Sequence, residues 1–121
     1  MIRVILESPF AGTSKFFIIR KFQEMRNIRY ARKCVRDSLS RGEAPIASHL
    51  LYTQKGVLKD DIQEERIWGI EAGLAWKSVA DKHVFYIDYG ISRGMEYGMQ
   101  YATDRNIKIV MRHLYKKESK K

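Results

Sequence analysis

An α/β fold with a parallel sheet is what the order of apolar runs in this chain predicts. Four short runs, opening near Arg3, Ala44, Lys82 and Ile107, have the strand-like length and β-branched content of a buried sheet. Between each pair of runs lies a stretch of helical periodicity. The chain has 121 residues, which suits one hydrophobic core and not two. With right-handed crossovers, β-α-β-α-β-α-β places helices on both faces of a sheet whose simplest strand order is 2-1-3-4, a Rossmann-like arrangement of the flavodoxin type. Residues 1–115 are expected to form this domain and 116–121 a basic, frayed tail.

Each element follows from local signals. Arg3 to Leu6 form the first strand, and Glu7-Ser8-Pro9-Phe10-Ala11-Gly12 stop it with proline and glycine. From about Phe22 to Leu39, Ile28, Ala31, Val35 and Leu39 recur on one side of an amphipathic helix that ends at Gly42. Thr13 to Gln23 is more apolar than a loop, with Phe16, Phe17, Ile18, Ile19 and Phe22. An early start of the helix, a lid and an oligomer contact all stay open for it. Ala44 to Leu51 read as the second strand. Asp60 and Asp61 offer capping oxygens, Asp61 with Glu64 as a capping box, for a second helix running to about Ala80. Lys82 to Asp88 give the third strand. Ser92 then caps a third helix buried through Met95, Met99 and Ala102, and Asn106 closes it before the fourth strand, Ile107 to Met111.

Composition narrows the function classes. No apolar run reaches the roughly 20 residues of a membrane-spanning helix, and the amino terminus lacks the order of a signal peptide, so a cytoplasmic protein with no membrane partner is expected. The net charge of +9 favours anionic partners. Its excess lies in the tail lysines 116, 117, 120 and 121 and along the first helix, which reads as a solvated face; a nucleic-acid-binding module, lacking any motif, ranks below a small-molecule binder. Cys34 is the lone cysteine and sits on the apolar side of its helix, where it serves as a small hydrophobe. His49, His83 and His113 lie on different strands, so neither a metal nor another cofactor is expected. Phosphate-loop and dinucleotide-binding glycine motifs are both missing.

In a doubly wound sheet of this order, ligands bind beyond the carboxyl ends of the strands where the winding reverses. That point brings together the loop Glu7 to Gly12 and the loop Asp88 to Glu96. In the second loop Gly90 and Gly94 allow close approach, Ser92 and the free amides of the first helical turn suit an anion, and Arg93 adds charge. Glu96 stands in that first turn, where a carboxylate also simply favours the positive helix end. Ser48 and His49 lie near the end of the second strand beside Tyr52, and His49 is read equally as a pocket residue or a hydrogen-bonded structural one. Trp68 and Trp76 read as core or subunit interface. Together with the apolar segment Phe16 to Phe22 they predict a homodimer or larger assembly.

The stretch Gly90-Ile91-Ser92-Arg93-Gly94-Met95-Glu96-Tyr97-Gly98-Met99-Gln100-Tyr101-Ala102, following an apolar strand, resembles the nucleoside 2-deoxyribosyltransferase superfamily and its nucleotide N-glycosidase relatives. The first strand with Ser8-Pro9-Phe10 is similar to that family's opening strand and loop. Compact phage-encoded members are similar in the runs Ile5 to Gly12 and Ala44 to Tyr52, which would place the protein in a host cytoplasm. The resemblance implies a nucleotide-binding domain that takes a nucleoside, nucleotide or ADP-ribose-type small molecule and cleaves an N-glycosidic bond with retention. On the matching positions it implies Glu96 as nucleophile, Ser92 as the serine holding a 5′-phosphate or sugar, and Asp88 near the acid that handles the base. Glu7 stands where those enzymes commonly have glycine, and Asp88, or Glu7 opposite it, is expected to supply the leaving base with a proton where burial or the neighbouring carboxylate raises its pKa. The same pocket also suits a non-catalytic protein that sequesters a nucleotide or an ADP-ribose-type signal.

Overall fold

The computed structural model describes residues 1–59 and 61–115; Asp60 and the expected tail 116–121 lie outside them. The elements in chain order are β1 (Ile2–Glu7), α1 (Phe17–Ser40), β2 (Glu43–Ile46), α2 (Ser48–Leu51), α3 (Gln63–Lys77), β3 (Lys82–Tyr86), α4 (Arg93–Asp104) and β4 (Lys108–Arg112). The four strands form one all-parallel sheet in the order β2-β1-β3-β4. Leu6 pairs with Phe85's neighbour Val84, and Val84 with Val110, so apolar rows run straight across the central strands.

Side chains alternate across a strand, and here the alternation divides the core in two. Val4, Leu6, Val84 and Tyr86 face α1, where they pack on Tyr30 and Cys34 with Val35, Val110 and Leu114 at the edge. Ile5, His83 and Phe85 are buried on the other face, beneath α3 and α4, and the His83 ring stacks on Tyr101 of α4. Glu7 extends the second set, so its carboxylate is turned toward α3 and α4. A polar tie crosses the first face: Arg112 donates to both Glu43 carboxylate oxygens at 3.0 Å, and Ser38 and Lys82 add contacts to the same group at 2.7 and 2.9 Å.

α1 begins at Phe17, so the apolar segment is an early helix start preceded by loop. Its Phe16, Phe17, Ile18, Ile19 and Phe22 are all exposed, as are Leu39, Ile62 just ahead of α3 and, on α3, Trp68, Ile70 and Trp76. The tryptophans are therefore not core, and Trp76 donates its ring N–H to the Tyr52 hydroxyl at 3.0 Å. α1 stops where Gly42 takes φ of +82°, a left-handed conformation that glycine adopts without strain.

Two expected elements are corrected. The run Ala44 to Leu51 is not one strand: β2 ends at Ile46, and the Ala47 carbonyl accepts from the amides of Leu50 and Leu51 at 3.0 and 2.9 Å, which winds Ser48–Leu51 into α2. A short apolar run fits a strand and a buried helical turn alike, and only the hydrogen bonds choose. The Asp61–Glu64 capping box does not form either. α3 starts after Ile62 with no side-chain cap, and Glu65 reaches back to the Lys59 amide at 2.8 Å instead. No helix among the described residues is long and apolar enough to cross a membrane.

Candidate functional site

A cleft of about 710 Å³ opens beyond the carboxyl ends of β1 and β3. Its floor and one wall come from the end of β1 and the following loop, with Glu7, Ser8, Phe10 and Thr13. The start of α4 contributes Ser92, Arg93 and Gly94, α2 contributes Ser48 and His49, and α3 closes the far side. The two loops expected to meet at the switch point do meet there.

Each wall is built from local sequence chemistry. Ser92 is the N-cap of α4: its hydroxyl accepts from the Met95 amide at 3.2 Å, and its own amide points to the Met95 sulfur at 3.4 Å. This cap fixes the helix start over the cleft, and the dipole there favours negative charge. Gly90 makes the preceding turn with φ of +89° but does not line the cleft. Pro9 is buried beneath the first loop. Gly12 is packed against α1, where an added methyl would meet the Arg20 carbonyl at 2.5 Å.

Ser8 and His49 form a polar pair within the wall, with Oγ and Nε2 2.8 Å apart. Burial, and secondarily the charge of Lys77, lowers the His49 pKa to about 4, so the ring is neutral near pH 7, with one ring nitrogen a donor and the other an acceptor. Glu7 is the cleft's buried carboxylate, its side chain only 14% exposed and one oxygen 3.5 Å from Lys77 Nζ. Burial raises its pKa and Lys77 opposes the rise. A methyl built at Gly98 would overlap that carboxylate, so α4 leaves a bare patch where Glu7 sits.

Of the three acids expected near the chemistry, Glu7 lines the cleft and Glu96 and Asp88 do not. Glu96 is exposed and does not line the cleft. The buried stripe of α4 is Met95, Gly98 and Ala102, and Glu96, one residue beyond Met95, turns about 100° away from it. Asp88 is committed to structure: it accepts from the Tyr30 hydroxyl at 2.5 Å and from the amides of Leu114 and Tyr115 at 2.6 and 3.0 Å. It ties α1 and β3 to the chain after β4 behind the cleft.

Sequence reasoning missed the α3 wall. Gly69, Gly73 and Lys77 lie at successive four-residue steps, one stripe that faces the cleft, with Arg66 and Ile70 beside it. Two glycines on a helix stripe leading to a lysine are a readable sign of close approach by a ligand or a neighbouring backbone. Lys77 is held between Glu7 and the rings of Tyr97 and Tyr101, 5.9 and 5.7 Å from their centroids.

The arrangement offers an anion-favouring helix start, a neutral serine–histidine pair and a buried carboxylate around one space. No curated protein and no solved structure matches the chain. One family model, described as a domain of unknown function (DUF7768), matches residues 2–112, and with the whole sheet and the whole cleft inside that span the chain belongs to this family.

Proposed function

We propose that the protein binds a nucleoside or nucleotide in this cleft and cleaves its N-glycosidic bond with retention at the anomeric carbon. The observation that carries the reading is a carboxylate, Glu7, buried in the cleft across from the start of α4. Departure of a base from a sugar passes through an oxocarbenium-like transition state, which a carboxylate in a desolvated site stabilises and can capture as an ester. The α4 start, with Ser92 and Arg93, suits the phosphate or sugar end of such a ligand. Phe10 and the neutral Ser8–His49 pair suit an uncharged base. Transfer to a second base and transfer to water are two fates of the same intermediate.

Incubation of the purified protein with a panel of nucleosides, nucleoside 5′-monophosphates and ADP-ribose tests this directly. Free base, or an exchanged base, is the expected product. Calorimetric binding with ligand recovered unchanged after long incubation instead makes the protein a sequestering binder, and neither binding nor turnover overturns both readings.

The partner at the surface is a second copy of the chain. The exposed residues Phe16, Phe17, Ile18, Ile19 and Phe22 cluster at the start of α1, and apolar surface of this kind commonly marks subunit contacts. Light scattering at micromolar concentration should give at least a dimer mass; a monomer mass contradicts self-association.

A further inference from the structure

We infer that Glu7 is the catalytic carboxylate of this cleft, that Gly98 is bare in order to seat it, and that Lys77 is its positioning residue. The inference rests on the proposed N-glycosidic function and assigns its chemistry to side chains. Three observations converge on it. First, β1 ends at Glu7 with the side chain on the face that looks toward α3 and α4, inside the ligand space. Second, among the described residues, Glu7 Oε2 is a buried carboxylate oxygen with no hydrogen bond, its nearest cation the Lys77 ammonium at 3.5 Å. Structural carboxylates of this protein are treated differently: Glu43 is met by Arg112, Lys82 and Ser38, and Asp88 by a hydroxyl and two amides. A buried charge left short of partners costs stability, and such groups concentrate where function needs them. Third, any side chain at position 98 would take the volume that the carboxylate occupies. The carboxylate on β1 and the missing side chain on α4 are two halves of one device.

The reaction balances without another co-reactant than water. One Glu7 oxygen bonds to the anomeric carbon as the carbon–nitrogen bond breaks. The electron pair leaves with the base, which takes a proton from water. A second water then attacks the same carbon from the face the base vacated, the ester bond breaks back to the carboxylate, and the proton it loses neutralises the hydroxide left by the first step. Lys77 keeps Glu7 charged and aimed between turnovers, itself steadied by Tyr97 and Tyr101. The other titratable or charged groups around this face are His49 on α2 and His83 on β3, both shifted by burial toward the neutral form, Glu65 and Arg66 on α3, Tyr52 after α2, and Arg93 at the start of α4.

Base release is measured for wild type, E7Q, E96Q and K77M across pH, with nucleosides and nucleoside 5′-monophosphates as probes, beside melting curves for each variant. The expected results are a fall of more than about 10³-fold for E7Q with binding kept, and wild-type turnover for E96Q. K77M should move the acid limb of the pH profile upward, because the attacking form is the carboxylate and its pKa rises once the cation is gone; a merely structural lysine lowers the rate equally at every pH. Should E7Q not fold, acid-quenched wild type digested for mass spectrometry carries the test: the sugar is expected on the peptide containing Glu7. A sugar on another residue, or undiminished turnover in E7Q, overturns the assignment and leaves the function standing. Absence of base release by wild type from every probe overturns both.

Discussion

Asp88, Glu43 and Glu7 are all withdrawn from solvent, and their partners separate them by role. From the described residues Asp88 accepts hydrogen bonds from the Tyr30 hydroxyl on α1 and from the amides of Leu114 and Tyr115 after β4. Asp88→Asn keeps the shape but replaces an acceptor by an N–H that faces donors, so we expect a loss of about 1–3 kcal/mol in chemical denaturation. Glu96 is the contrasting case. It is exposed in the first turn of α4, where its charge favours the positive helix end, and Glu96→Gln should cost no more than about 0.3–1 kcal/mol in the same measurement. A larger loss for Glu96→Gln than for Asp88→Asn would reverse this placement of the two acids. Cys34 belongs with the structural residues: it is fully buried, and burial pushes its thiol up to about 12, far from a reactive thiolate.

At the scale of elements, α4 with its cap combines a capping serine, a bare patch and a core stripe between Ser92 and Ala102. Ser92 was readable as the cap because a serine ahead of an apolar-periodic segment has few other reasons to be there, and the hydroxyl does accept from the Met95 amide. Ser92→Ala should lower stability by about 1 kcal/mol in thermal or denaturant melts, and a loss below a few tenths would mean that the cap contributes nothing. The cap also holds the helix start over the cleft, so the same variant should weaken binding of 5′-monophosphates more than that of nucleosides. The nucleophile role that the resemblance implies for Glu96 needs a rotation of the helix about its axis that the sequence does not give. Met95, Gly98 and Ala102 fix that rotation by their burial, and Glu96 is carried outward. α3 shows the converse: its stripe of Gly69, Gly73 and Lys77 is regular in sequence, yet it signals a site only once β1 lies across from it.

For the whole molecule, the Glu43 cluster joins β2, α1, β3 and β4 into one acid-sensitive unit. The bidentate Arg112 contact, helped by Lys82 and Ser38, holds the Glu43 carboxyl down to about 2 from the ordinary 4.5. A carboxylate depressed in the folded state contributes stability that is complete above pH 4.5 and lost as pH falls from there toward 2. Asp37, which accepts from Tyr86 and Arg41, is shifted in the same direction. Denaturation midpoints should therefore fall steeply over that window in wild type. Arg112→Met, which leaves Glu43 buried without its main partner, should cost about 3–5 kcal/mol near neutral pH and remove much of that acid step. A flat acid profile in wild type would contradict the cluster's role.

The sequence by itself determined the number of strands, the β-α alternation, the sheet order and the loops that meet at the switch point. These follow from periodicity, punctuation and the handedness of crossovers, which are local properties or general rules. It also put Ser92 and Phe10 on the two loops that meet there, while leaving His49 open between a pocket residue and a structural one. Only the tertiary structure decided which acid enters that cleft. Glu7, Asp88 and Glu96 are equally acidic in a string of letters; a strand's alternation, hydrogen bonds and a helix's rotation send the first inward, bind the second and turn the third to solvent. The room for Glu7 is made by Gly98, far along the chain, and such a pairing exists only once β1 and α4 are packed together.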